Sequence, residues 1–213
     1  MPGMQAAFVE IGLDRTAFLH ANDIQRPSPT RDVEGIDVLP ASLPSTTLPI
    51  TELLREGQEV VVQVVKDPIG SKGARLTTQL SIPSRYMVLL PQSRVVGVSS
   101  RIEDEAERAR LKSLVAEFAG GGEQGYIVRT NAEGQPAEAL AEDIAYLSRV
   151  WALVEDQTKA TKLGACIYED LSLPMRAVRD LIRRDVEKVK VDSRETCDRL
   201  RVFAAQYMPI ASR

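Results

Sequence analysis

The sequence predicts an α+β fold laid out in three successive segments. Two observations carry that reading. Short stretches of alternating apolar and polar residues dominate residues 1–80, the period of strands with one buried face. Further along, apolar residues step by three and four, above all Leu140, Ile144, Leu147, Trp151 and Val154, which puts them on one side of a long amphipathic helix. With 213 residues, 44 % hydrophobic and 27 % charged, the chain can bury a core and has room for one large or two small domains. No internal repeat is visible.

The first segment, residues 1–80, reads as β-rich. Ala7, Val9 and Ile11 alternate with Ala6, Phe8 and Glu10 as in a half-buried strand. The turn-prone Gly12-Leu13-Asp14-Arg15 leads to a second such run, Thr16-Ala17-Phe18-Leu19-His20. Residues 25–49 are rich in Pro, Ser and Thr and read as a long loop. Ile50 to Glu56 fits one or two helical turns stopped by Gly57. Val60 to Val65 is a strand of β-branched residues. Asp67-Pro68-Ile69-Gly70 is a turn, and Ala74 to Leu80 a last strand.

The second segment, residues 81–168, begins with a strand from Arg85 to Leu90. A helix from Asp104 to Phe118 follows, with Leu111, Leu114, Val115 and Phe118 on one face. Gly120-Gly121-Gly122 ends it, Gly125 to Thr130 is a short strand, and the long helix comes next. In the third segment, residues 169–213, a helix starts near Pro174, a permitted first-turn position. It presents Met175, Val178, Leu181 and Ile182 on one side. Val189 to Asp192 is expected to be a brief strand, and Arg194 to Tyr207 a last helix.

Composition narrows the function. The formal net charge is −3, which argues mildly against a free-standing nucleic-acid binder. A local basic face stays compatible with it, because phosphates feel the nearby potential rather than the total. Cys166 and Cys197 lie far apart and His20 is the single histidine, so no zinc ligand set is expected. A reduced, cytoplasmic protein is the simple reading. No apolar run approaches the roughly 20 residues that span a bilayer. No secretory signal precedes the first strand.

Phe8 and Phe18 are the most informative side chains. Each falls on the more polar face of its strand, Phe8 with Glu10 and Phe18 with Thr16 and His20. Two rings so placed make a platform on which bases stack; they fit equally a face covered by another domain of the protein. Lys66, Lys72 and Arg75 near the adjacent turn are candidates for phosphate contacts. Catalytic residues are not evident. Asp180 and Asp185, five residues apart among arginines, do not share a helix face. Glu103-Asp104-Glu105 reads as an acidic helix start, and His20 has no Ser or Cys partner. Trp151, Leu147 and Ile144 read as core, and the glycine run as a linker without the lysine of a phosphate loop.

Several runs together carry a resemblance. They are Gly3-Met4-Gln5-Ala6-Ala7-Phe8-Val9-Glu10-Ile11-Gly12, Ala17-Phe18-Leu19-His20-Ala21, Glu56-Gly57-Gln58-Glu59-Val60 and Lys72-Gly73-Ala74-Arg75-Leu76-Thr77-Thr78. The pattern continues through Ser84-Arg85-Tyr86-Met87-Val88-Leu89, Ser100-Arg101-Ile102-Glu103, Ile127-Val128-Arg129-Thr130 and Val191-Asp192-Ser193. In this order they resemble the ribonuclease E/G family over essentially the whole chain. Pro83-Ser84-Arg85-Tyr86 and Val191-Asp192-Ser193-Arg194 look more like its ribonuclease G branch.

The resemblance implies an S1-like OB-fold barrel over residues 1–80, a 5′-sensor domain over 81–168 and part of an RNase H-like subdomain over 169–213. Phe8, Phe18 and Lys72 match the RNA-contacting positions. Arg129 and Thr130 match a pair that binds a 5′-monophosphate, with backbone near Ser84 and Val88 completing the pocket. A planar guanidinium, a hydroxyl and the amides of the loop from Asn131 to Gly134 suit such an anion chemically. The implied partner is single-stranded RNA with a 5′-monophosphate, and the implied parent is an Mg²⁺-dependent endoribonuclease of RNA processing and decay, oligomeric at full length. Two departures stand out. Ser84 and Ser100 replace a glycine and an arginine of ribonuclease E. Family members also have strands before the position of Met1, including the first of the barrel, and a downstream domain with metal-binding aspartates, so an open barrel and a chain without catalytic or metal-binding residues are expected. A non-catalytic RNA-binding adaptor, or an assembly role without RNA, are the competing readings.

Overall fold

In a computed structural model, which describes residues 2–25, 48–120, 122–182 and 186–208, the alternating stretches pair into two separate four-stranded sheets. The first is built on a hairpin of β1 (Ala6–Val9) and β2 (Ala17–His20), with Ala7 opposite Leu19 and Phe8 opposite Phe18. A short helix, α1 (Ile50–Leu53), precedes β3 (Gln63–Lys66) and β4 (Arg75–Thr77). β4 runs parallel to β2 and antiparallel to β3, so the order is β1-β2-β4-β3. β1 and β3 are its two edges, and among the described residues the sheet does not close into a barrel. The long loop expected over residues 25–49 falls almost wholly outside the described residues. Its small core is Ala17, Leu19, Ala21, Ile24, Ile50, Ala74 and Leu76, with Ala7, Val9 and Ile11 packed at its margin.

The strand expected at Val60 to Val65 starts later, at Gln63, and leaves Val64 and Val65 exposed. A register irregularity between Val64 and Lys66 breaks the alternation there.

The second sheet has the order β5-β6-β8-β7. Its strands are β5 (Ile82–Pro83), β6 (Met87–Leu90), β7 (Val96–Val98) and β8 (Gly125–Val128). β5 and β7 were not expected from the sequence. They are two and three residues long, too short to show a period, and β7 owes its place to parallel pairing with β8. α2 (Glu105–Phe118) begins where Asp104 accepts the Ala106 N–H at 3.0 Å, a side-chain cap at the positive end of the helix. α3 (Ala137–Ala160) buries Leu140, Ile144, Leu147, Val150 and Val154, the face its spacing predicts, with Trp151 at the margin.

α4 (Leu173–Leu181) and α5 (Arg194–Tyr207) close the same core through Val178, Leu200 and Phe203. One hydrophobic cluster therefore runs from Ile82 to Phe203. Two expectations fail here. Leu181 is 69 % exposed: Met175, Val178 and Ile182 pack inward, and Leu181 sits about 100° round the helix from Ile182. Val189 to Asp192 forms no strand and pairs with none among the described residues, although its valines alternate with lysines. Among the described residues, no helix is long and apolar enough to cross a membrane.

Candidate nucleic-acid interface

The phase of alternation places the two phenylalanines where the sequence put them. Phe8 is 56 % exposed and Phe18 half-buried. Directly opposite each other across the hairpin, their rings meet edge to face, with centroids 6.2 Å apart and planes at 68°. A third ring continues the row: His20 lies 6.3 Å from Phe18. The Asn22 N–H donates to its Nδ1 at 3.1 Å, so in the neutral ring the proton sits on Nε2, the edge left to donate. Reading His20 only as a missing member of a catalytic triad overlooked this, although its strand position had already put it on the same face as Phe18.

The cations beside the platform differ in availability. Lys72 is exposed, in a turn closed by reciprocal backbone bonds with Ile69. It lies two residues before Ala74, whose carbonyl accepts the Phe18 N–H at 2.8 Å. Arg15 in the β1–β2 loop donates to the Gly70 carbonyl, fastening that turn to the hairpin. Arg75, by contrast, is already engaged: its guanidinium makes a two-pronged pair with Asp23 at 3.0–3.2 Å. Lys66 is exposed at the end of β3.

At the end of β8, Arg129 and Thr130 are both exposed. The Arg129 N–H extends the ladder by donating to the Tyr86 carbonyl (2.8 Å), and its Nη1 donates to the Ser84 carbonyl at 2.7 Å. No carboxylate pairs with this guanidinium among the described residues, and Arg129 is a lining residue of an open cleft. Thr130 opens a 3₁₀ turn, Thr130–Ala132. The loop amides are less free than expected: the N–H groups of Ala132 and Glu133 bond back to Arg129 and Thr130, and that of Gly134 donates to Glu107 at 2.9 Å.

Ser84 is placed differently from a phosphate ligand. Its N–H donates to the Met87 carbonyl (2.8 Å), and its fully buried hydroxyl lies 2.5 Å from Asp143 Oδ2. What it offers the site is the carbonyl that holds Arg129. Asp143 Oδ2 also accepts the N–H groups of Tyr86 (3.0 Å) and Met87 (3.2 Å). Burial pushes its carboxyl above the usual range, against the opposing pull of the Ser84 hydroxyl, the backbone amides of Tyr86 and Arg85 and the Arg179 charge. Val88 is half-buried in β6 opposite Ile127.

Phe8 of the aromatic hairpin and Val88, Arg129 and Thr130 of the second site line one open cleft of about 2790 Å³, whereas Phe18, His20 and Lys72 are not among its lining residues. Phe8 and Glu10 stand on one wall, and Val88, Arg129, Thr130 and Arg101 on the other. The two walls approach where Gly12 meets Gly164: a Cβ on Gly12 would lie 2.1 Å from the Gly164 carbonyl oxygen, and both residues have positive φ (78° and 77°). Only glycine fits that approach.

The described residues do not fit an Mg²⁺ site, which needs several carboxylate or carbonyl oxygens converging on one point. Asp180 is committed to Arg179 (2.7 and 3.1 Å), Asp170 to Arg176 (2.6 Å) and Asp104 to its helix start. Asp185 lies outside the described residues.

The model of the Ribonuclease E/G family matches residues 81–213. The chain belongs to the ribonuclease E/G family. It is similar to ribonuclease G of Salmonella typhimurium (strain SL1344), 49 % identical over 210 residues, which is 98 % of this chain and 41 % of that protein. It is 48 % identical to ribonuclease G of Escherichia coli (strain K12), with the same coverage. Ribonuclease E of Nostoc sp. (strain PCC 7120 / SAG 25.82 / UTEX 2576) is 38 % identical over 204 residues, 95 % of this chain and 28 % of that protein. The chain thus spans about two fifths of the length of these ribonuclease G relatives. Because the similarity covers 98 % of the chain, it takes in the aromatic hairpin as well as the segment that the family model matches.

Proposed function

We propose that this chain is the RNA-holding and 5′-end-sensing part of a ribonuclease G-like endoribonuclease of RNA processing and decay. In this reading residues 1–80 are an S1-like, OB-type RNA-binding unit, residues 81–168 a 5′-sensor and residues 169–213 part of an RNase H-like scaffold. Phe8 and Phe18 stack the bases of a single strand and Lys72 contacts its phosphates. Arg129 and Thr130 receive a terminal monophosphate, beside Val88. That anion carries about −1.5 to −2 charges and three acceptor oxygens, a match for a planar donor fork next to a hydroxyl. Ser84 serves through its carbonyl, which orients Arg129. Cleavage of single-stranded RNA, with Mg²⁺, is proposed for the whole protein and not for these residues.

The observation that carries the reading is the shared cleft, with an exposed phenylalanine on one wall and, on the other, a guanidinium that no carboxylate pairs with among the described residues. One strand of RNA can cross the ring and end at the cation. The test compares affinities for one oligoribonucleotide bearing a 5′-monophosphate or a 5′-hydroxyl. The phosphorylated RNA is expected to bind more tightly. Arg129→Ala should erase that preference, a loss of about tenfold or more for a charge-assisted contact. Equal affinity for both ends in the unaltered protein removes the sensing role.

A further inference from the structure

The corner between β5 and β6 is gripped from two sides. From α3, one oxygen of Asp143 takes the Ser84 hydroxyl (2.5 Å) and the N–H groups of Tyr86 (3.0 Å) and Met87 (3.2 Å). From α4, Arg179 Nη1 donates to the Pro83 carbonyl at 2.9 Å. On the other side, Arg129 uses two more carbonyls of the same corner, that of Ser84 through its guanidinium and that of Tyr86 through its backbone N–H. Asp143 and Arg179 are 7 % and 8 % exposed, so neither reaches a ligand in the cleft.

Burying a carboxyl group and a guanidinium is a poor way to gain stability, since each loses hydration, and the ion partner of Arg179 is its neighbour Asp180 rather than Asp143. Such groups are better suited to hold one arrangement against its alternatives. The arrangement held here is a pair of carbonyls, and the guanidinium plane of Arg129 follows from where the Ser84 carbonyl points. A displacement of an ångström or so at a positioning group far from the ligand is enough to weaken recognition strongly.

We infer that Asp143 and Arg179 are positioning residues for the anion-binding guanidinium of Arg129, and that α4 is thereby coupled to recognition of the RNA 5′ end. The inference rests on the sensing role proposed above and adds to it residues and an element that never touch RNA. The connection is short: Arg179 to Pro83, the adjacent Ser84, then Arg129. Its consequence is that an altered placement of α4 weakens reading of the end while the aromatic platform goes on binding RNA.

The test uses the whole chain and its Asp143→Asn, Arg179→Met and Arg179→Lys variants. Each is titrated with one single-stranded oligoribonucleotide, 5′-monophosphorylated or 5′-hydroxyl, by fluorescence anisotropy. Asp143→Asn and Arg179→Met are expected to lower the phosphate-over-hydroxyl affinity ratio by about tenfold. Affinity for the hydroxyl end should stay unchanged, and Arg179→Lys should restore part of the ratio. A purely structural role would lower both affinities in step, and that result overturns the inference. So does an unchanged ratio in both variants. If Asp143→Asn fails to fold, the two Arg179 variants decide the matter alone. A ratio of one in the unaltered chain sinks the sensing role and this inference together; a ratio above one that ignores the variants sinks only the inference.

Discussion

At the scale of single residues, Phe8 forgoes what its side chain would gain by burial. Burying a ring of that size is worth about 1.5–3 kcal/mol, yet Phe8 stands 56 % exposed two positions from Ala6, which is fully enclosed. Phe8→Ala should therefore leave the thermal unfolding midpoint nearly unchanged while weakening single-stranded RNA binding by about 1–3 kcal/mol. Paired melts and anisotropy titrations check this; a large fall in stability with RNA affinity intact would make the ring structural glue. The position of this residue was legible because a strand has a two-residue period, and one misplaced apolar residue then shows against its neighbours. Arg75 was not: the aspartate that occupies it, Asp23, is 52 positions away in sequence, and no local rule reports such a partner. The partner of the Ser84 hydroxyl was hidden for the same reason, since its acceptor Asp143 comes from a helix 59 residues later.

At the scale of elements, the loop carrying Thr130 is tied down by α2. Glu107 accepts two bonds from Arg110 (2.6 and 2.7 Å) and one from the Gly134 N–H (2.9 Å), and Arg110 reaches on to the Gln135 carbonyl at 3.0 Å. The Arg110 guanidinium, aided by the Gly134 amide, outweighs partial burial and holds the Glu107 carboxyl down at about 2. A carboxylate whose folded value is depressed stabilises the fold above its unfolded value and loses that contribution as it is protonated. The urea midpoint of the unaltered protein should thus exceed that of Glu107→Gln at neutral pH. The gap should close as pH falls from about 4.5 to about 2; a gap independent of pH would contradict the tether. The helices α2, α3 and α5 were legible because ten or more residues repeat one period, and α2 and α3 bury the faces their spacing marks. β5 and β7 were not, because a strand of two or three residues is defined by its neighbours rather than by its own pattern. Val189 to Asp192 is the converse case, a strand-like pattern that finds no neighbour.

At the scale of the molecule, the net charge of −3 says little about binding, because what matters is where cations are left unpaired. Arg75, Arg110, Arg176 and Arg179 are matched by carboxylates, whereas no carboxylate among the described residues pairs with Lys72 or Arg129. The individual candidate residues were named from the sequence and its family resemblance. That Phe8 and Arg129 border one cleft could not, since it depends on how two separate cores meet at Gly12 and Gly164. The central claim is that the aromatic hairpin and the Arg129 corner are two ends of one RNA path. Backbone and side-chain NMR shifts, followed while a 5′-monophosphorylated single-stranded oligoribonucleotide is added, test it most directly. Shifts at Phe8, Phe18 and Lys72 together with Arg129 and Thr130, saturating at one RNA concentration, are the predicted result. Shifts confined to one of the two clusters, or falling elsewhere on the surface, would contradict it.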